Sequence, residues 1–182
     1  ASGENANNNE NKKYDLLFTD ASVSGWGAYF ISSDGTVAII GGKWDNEIRN
    51  PTADMIAELE AKALWLALTH FKERLLKNKN VDIRIDNTSV VAAAQKGKSK
   101  TSPALNDAII DSINFLVEED FAYSVSYVNT KDNWADKPSR GRIADSAFIT
   151  DTEVRKYYDN RGSLGRLARQ ELSSLLSSSV KR

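Results

Sequence analysis

Three apolar stretches near the start of the chain, "YDLLFTD" (14–20), "GWGAYFIS" (25–32) and "TVAIIGGKW" (36–44), are rich in aromatic and β-branched residues. Small or polar residues bound each of them, so each predicts a strand. The linker "SSDG" between the second and third carries Asp34-Gly35, a pair that suits a tight hairpin turn. After the loop "NEIRNP" the period changes. Ile56, Ala63, Leu64, Ala67, Phe71 and Leu75 recur at helical spacing and predict one long helix reaching about Leu76, with Thr52 as its cap and Asp54 close behind. "VDIRID" (81–86) returns to strand alternation, and a short helix is predicted over 89–96. "KGKSKTS" reads as a flexible link, after which Ser102 and Pro103 open a helix to about Asp120. "YSVSYVN" (123–129) is the last predicted strand, and "NWADKPSR" leads into a helical turn.

A meander of three strands followed by alternating helices and strands predicts an α/β fold: a five-stranded mixed sheet flanked by helices. Residues 1–13, polar and Asn-rich, read as a disordered leader. From about Gly141 strand patterns cease, and two helices are predicted near 151–159 and 164–177. The organisation expected is therefore a leader, a domain over 14–141, and a helical C-terminal extension or linker over 142–182. The chain opens Ala1-Ser2-Gly3 without methionine, which reads as part of a longer polypeptide or a trimmed one.

Composition narrows the chemistry. The 182 residues are 41% hydrophobic, enough for a real core, and no apolar run approaches the length that spans a membrane. No signal peptide is visible, so an intracellular protein, cytoplasmic or nuclear, is expected with no membrane partner. Lys and Arg total 24 against 25 Asp and Glu, and this near-zero balance proposes no partner by itself. A nucleic-acid binder of this composition would gather its basic residues on one face. With no cysteine and a single histidine, His70, thiolate sites are excluded. His70 has no partner in the pattern and reads as a surface residue. Any metal would be held by carboxylates, which favours a hard ion such as magnesium or manganese.

Four acids stand out by position. Asp20 and Asp86 each end a predicted strand. If those strands are neighbours, both carboxylates face the crevice at the carboxyl end of the sheet, where open α/β sheets bind ligands. Glu60 interrupts the apolar stripe of the long helix, four residues from both Ile56 and Leu64. A carboxylate there is costly unless paired or metal-bound. Glu58 points instead with Asp54 and Lys62, and Glu58–Lys62 is a favourable i,i+4 pair. Asp136 begins the turn after the last strand. Each acid alone has a plain structural reading, as turn, cap or helix-start residue, and Trp26, Trp44 and Trp65 read as packing residues. It is the joint order of the four that points to a metal site.

In that order the chain resembles the ribonuclease H domain of retroelement reverse transcriptases, especially the DIRS-like and pararetroviral branches, within the ribonuclease H-like superfamily. "TDASVSGWGAYF", "LEAKALWLALTHF", "IDNTSVVAAAQKGKSKTS" and "YVNTKDNWADKPSRG" are similar to that family's four successive motifs. The resemblance covers residues 14–141. It implies Asp20, Glu60, Asp86 and Asp136 as catalytic metal ligands, with Asp20 bridging two magnesium or manganese ions. It also implies hydrolysis of the RNA strand of an RNA–DNA hybrid to 5′-phosphate and 3′-hydroxyl ends. Ser22, Asn87 and Thr88 become candidates for contacts to 2′-hydroxyls, and Lys96, Lys98 and Lys100 for contacts to phosphates, although these lysines equally read as a solvated loop. A neighbouring polymerase domain or polyprotein is implied as partner. The histidine that cellular members carry before the last acid is missing from "NTKDNWAD", which implies slower product release. Two alternatives stay open: a DNA nuclease, integrase or resolvase of the same fold, and a domain that keeps the fold as a scaffold without catalysis.

Overall fold

The computed structural model describes residues 13–44, 51–99 and 102–140, without the Lys137 side chain. All but Lys13 of the predicted leader, most of the 46–51 loop, Lys100 and the predicted C-terminal helices lie outside the described residues. Five strands form one sheet: β1 (Asp15–Ala21), β2 (Gly25–Ile31), β3 (Val37–Lys43), β4 (Asn80–Ile85) and β5 (Ala122–Tyr127). Their spatial order is β3-β2-β1-β4-β5. β1–β2 and β2–β3 pair antiparallel, as short hairpin links allow, whereas β1–β4 and β4–β5 pair parallel through helical crossovers. The helices are α1 (Ile56–His70), α2 (Lys72–Asn78), α3 (Thr88–Lys96), α4 (Pro103–Glu118) and the short α5 (Asp136–Ser139). The mixed sheet with flanking helices is the architecture that the pattern predicts.

Strand alternation sorts the core. Leu17, Ala28, Phe30, Ala38, Ile40, Ile83 and Ile85 pack with Leu64, Ala67, Leu68 and the apolar faces of α3 and α4. On the opposite face Phe18, Tyr29, Ile31, Val37 and Ile39 gather around Ala135 and Trp134. Trp134 stacks on Phe18 (5.9 Å between ring centres) and meets Tyr29 edge-on at 5.0 Å.

Several expectations need correction. β1 runs on to Ala21, so Asp20 lies within the strand, paired with Gly27, and does not end it. Asp86 falls one residue beyond β4. The single long helix is a short 3₁₀ turn over Ala53–Met55, then α1, then α2, with the break at Phe71. Phe71 is buried and stacks on Phe30 at 5.0 Å, and this packing sets the backbone at the break. Thr52 makes no side-chain cap bond; its carbonyl accepts from the Met55 N–H at 3.1 Å. The expected Glu58–Lys62 pair does not close: the ion pairs among the described residues are Arg84–Asp82 and Arg140–Asp136. The Asp34-Gly35 turn is present, with Gly35 at φ 89°, and a buried Asp15 carboxylate steadies it by accepting from the Ser33 N–H at 2.8 Å.

One feature of the sheet matters most for the site. A Cβ on Gly27 would lie 2.4 Å from the Ser139 nitrogen, and one on Gly41 would lie 2.6 Å from the Pro138 oxygen. Glycine weakens a strand interior, and here it lets another backbone approach closely. β2 and β3 thus form a bare trough on which α5 lies. Gly27→Ala is expected to push α5 off the sheet and lower stability by about 1–3 kcal/mol, the usual cost of overpacking. Urea unfolding of the variant would measure it.

Candidate metal centre

Parallel pairing of β1 with β4 ends at Thr19–Ile85. The next residue on each strand is Asp20 and Asp86, so the two acids emerge side by side at the same end of the sheet. Asp86 is spared from capping α3 because Asn87 does that work: its Oδ1 accepts from the Val90 N–H at 3.0 Å. Glu60 reaches the same point from the buried face of α1, where it sits among Leu59, Ala61, Ala63 and Leu64. Asp20, Glu60 and Asp86 each present one carboxylate oxygen, all within 4.8 Å of one another.

Asp136 lines the same cleft, of about 350 Å³, but stands apart from that trio. Its Oδ1 accepts from the Arg140 guanidinium Nε at 3.0 Å. Arg140 is the only cation among the described residues that line the cleft. Ser22 and Asn87, two of the candidate substrate contacts, line it too. Thr88, Lys96 and Lys98 are exposed and do not line it. His70 is exposed, edge-on to Phe71. Trp44 is buried and donates from Nε1 to the Ser22 carbonyl at 2.8 Å, and half-buried Trp65 meets Phe115, so both pack as expected.

Two contributors had no assigned role in the sequence. Asn133, 4% exposed, donates from Nδ2 to the Thr19 carbonyl at 3.0 Å and accepts from the Ala135 N–H, tying the segment before α5 to β1. Ser139 is fully buried and its hydroxyl donates to Asp20 Oδ2 at 2.8 Å. The signal for such contacts was the glycines of β2 and β3, which announce a close neighbour without saying which.

The electrostatics suit a cation. Burial foremost, then the charge of Asp20, pushes the Glu60 carboxyl up to about 11. Burial likewise raises Asp20 to about 7, with the Asp86 charge adding to it, against hydrogen bonds from Glu60 and Ser139. Glu60 Oε2 is buried with no hydrogen-bond partner among the described residues. A buried Glu60 oxygen with no donor, converging with the carboxylates of Asp20 and Asp86, matches a hard divalent ion better than a proton relay or a thiophilic metal.

The sign of the pH dependence follows. Both carboxyls titrate higher folded than unfolded, so the metal-free folded state keeps protons that the unfolded chain releases. The stability they contribute is full below about pH 4 and is lost as pH rises through 7, where Asp20 ionises, with Glu60 extending the loss toward 11. In EDTA the thermal midpoint is expected to fall from pH 5 to pH 8. Magnesium is expected to raise the midpoint most at pH 8. Differential scanning calorimetry at the two pH values, with and without magnesium, checks both, and Glu60→Gln should flatten the slope.

No family model and no curated protein matches the chain. Among solved structures it is similar to the ribonuclease H1 of the halophilic archaeon Halobacterium salinarum, with 19% identity and a TM-score of 0.52 over 69% of this chain and 92% of that one. It is also similar to the N-terminal ribonuclease H domain of a Mycobacterium tuberculosis protein, with 16% identity and a TM-score of 0.53 over 70% and 91%. The order and pairing of the five strands and the placing of the helices agree with these likenesses: the chain has the ribonuclease H fold.

Proposed function

We propose that this chain is a metal-dependent ribonuclease H, hydrolysing the RNA strand of an RNA–DNA hybrid. The observation that carries the reading is the convergence of Asp20, Glu60 and Asp86 at the carboxyl end of β1 and β4, with a donorless Glu60 oxygen among them. Asp20, Glu60 and Asp86 would hold the metal, with Asp136 as a fourth ligand and magnesium or manganese as the ion, two per site. Bound divalent ions would supply charge for the scissile phosphate and a water acidified enough to attack it. The chain's own part is to fix the ligands, exclude bulk water from the Glu60 side, and present the cleft to the substrate backbone. Ser22 and Asn87, which line the cleft, would contact ribose hydroxyls. For Asn87 the contact falls to its amide NH₂, because its oxygen caps α3. Thr88 would contact a ribose hydroxyl from outside the cleft, and Lys96, Lys98 and Lys100 would contact phosphates.

The retroelement reading, with a polymerase domain or polyprotein alongside, rests on the motif resemblance. Among the described residues no helix is long and apolar enough to cross a membrane. A substrate panel tests the proposal: hybrid, duplex RNA, duplex DNA and a four-way DNA junction, each with magnesium. Cutting confined to the RNA of the hybrid is the expected result. Cutting of the junction or duplex DNA would favour the DNA-nuclease alternative, and no cutting of any substrate the scaffold.

A further inference from the structure

Ser139 stands in the closing motif, but neither the motif nor the metal chemistry assigns it a role. Its side chain is fully buried, and its Oγ lies 2.8 Å from Asp20 Oδ2 and 2.7 Å from the Asp136 carbonyl. The hydroxyl has one proton, and an ionised carboxylate is the stronger acceptor of the two. Around this side chain the backbone is held on every side. The Ser139 N–H donates to Ala135 at 3.0 Å, the Ser139 carbonyl accepts from the Ser22 hydroxyl at 2.7 Å, and the nitrogen sits over Gly27. A donor fixed this firmly sets the direction of whatever it binds. With Oδ2 tied toward α5, the Asp20 carboxylate has one settled rotation.

We propose that Ser139 is a positioning residue for the metal centre, orienting Asp20 so that its carboxylate meets those of Glu60 and Asp86 before any ion arrives. It touches neither metal nor substrate. The inference rests on the metal reading of this site and adds the residue that preorganises it. Donors to ligating carboxylates commonly contribute 10–100-fold in metal affinity. The geometry places α5 in two roles, carrying Asp136 and aiming Asp20, which explains why β2 and β3 give up side chains at Gly27 and Gly41.

The test is magnesium binding by titration calorimetry on the purified chain, with thermal midpoints in EDTA and hybrid cleavage recorded beside it. Ser139→Ala removes one oxygen and leaves the backbone contacts. The expected result is a dissociation constant raised about 10–100-fold, a midpoint in EDTA close to that of the wild type, and cleavage recovered at high magnesium. Ser22→Ala, which removes the bond to the Ser139 carbonyl together with turn bonds to Ser24 and Gly25 but none to Asp20, should shift the constant less. If Ser139→Ala were to unfold, Ser139→Cys, which keeps a weak donor of similar shape, should fold and bind with intermediate affinity. Unchanged magnesium affinity in a folded Ser139 variant would overturn the proposal while leaving the metal site standing. A wild-type chain that binds no magnesium would overturn both.

Discussion

Asp20→Asn or Asp86→Asn is expected to abolish cleavage of an RNA–DNA hybrid, with a loss beyond the about 10–100-fold that removal of a supporting group alone costs. The two acids lie one step past the last residues that pair β1 with β4, where both converge with Glu60. The fold should survive. Asparagine has nearly the same shape, and at position 20 it removes a buried charge that the metal-free protein carries at a cost. The midpoint of Asp20→Asn in EDTA at pH 8 is therefore expected to equal or exceed that of the wild type. Single-turnover cleavage and scanning calorimetry on the same samples separate the two effects. A site that loses activity and gains stability together is one strained for function.

Glu60 and Glu58 make the second large contrast. They are two residues apart on α1, and at about 100° per residue they point about 200° apart. Glu60 is 3% exposed among the residues packed on the sheet, whereas Glu58 is half-buried and makes no ion pair among the described residues. Glu60→Gln is expected to cost on the order of 10²-fold or more in cleavage, and to weaken magnesium binding, since a ligand is lost. Glu58→Gln should be close to silent, within about 0.5 kcal/mol, because Glu58 makes no ion pair among the described residues. Parallel assays of the two variants check the rotation of α1 directly, and exchanged phenotypes would mean that α1 presents its other side to the site.

Much of this was legible in the residues because the site is built where pattern and chemistry disagree. Glu60 broke an apolar stripe, and Asp20 and Asp86 closed strands that otherwise read as buried. Periodicity could not show that Asp20 keeps its strand for one more residue, since pairing to Gly27 is a property of the partner strand. Nor could it show the break at Phe71: the helical spacing runs through it, and only stacking on Phe30 marks the place. Ser139 and Asn133 stand in the closing motif, but their roles were silent for a different reason. A serine or asparagine in a polar turn gives no sign of burial, and theirs comes from the backbone trough of β2 and β3. Asp136 was read as an acid of the site; it lines the same cleft, but it pairs with Arg140 one turn along and lies outside the cluster of the other three.

The central claim is that this carboxylate cluster cuts RNA with the help of divalent metal. An RNA–DNA hybrid labelled on the 5′ end of its RNA, incubated with the wild-type chain in magnesium or in EDTA, tests it most directly. The expected result is magnesium-dependent shortening of the RNA to fragments with 3′-hydroxyl ends, with the DNA strand intact, and no cleavage in EDTA. Intact RNA in magnesium, or cleavage that proceeds equally in EDTA, would contradict it.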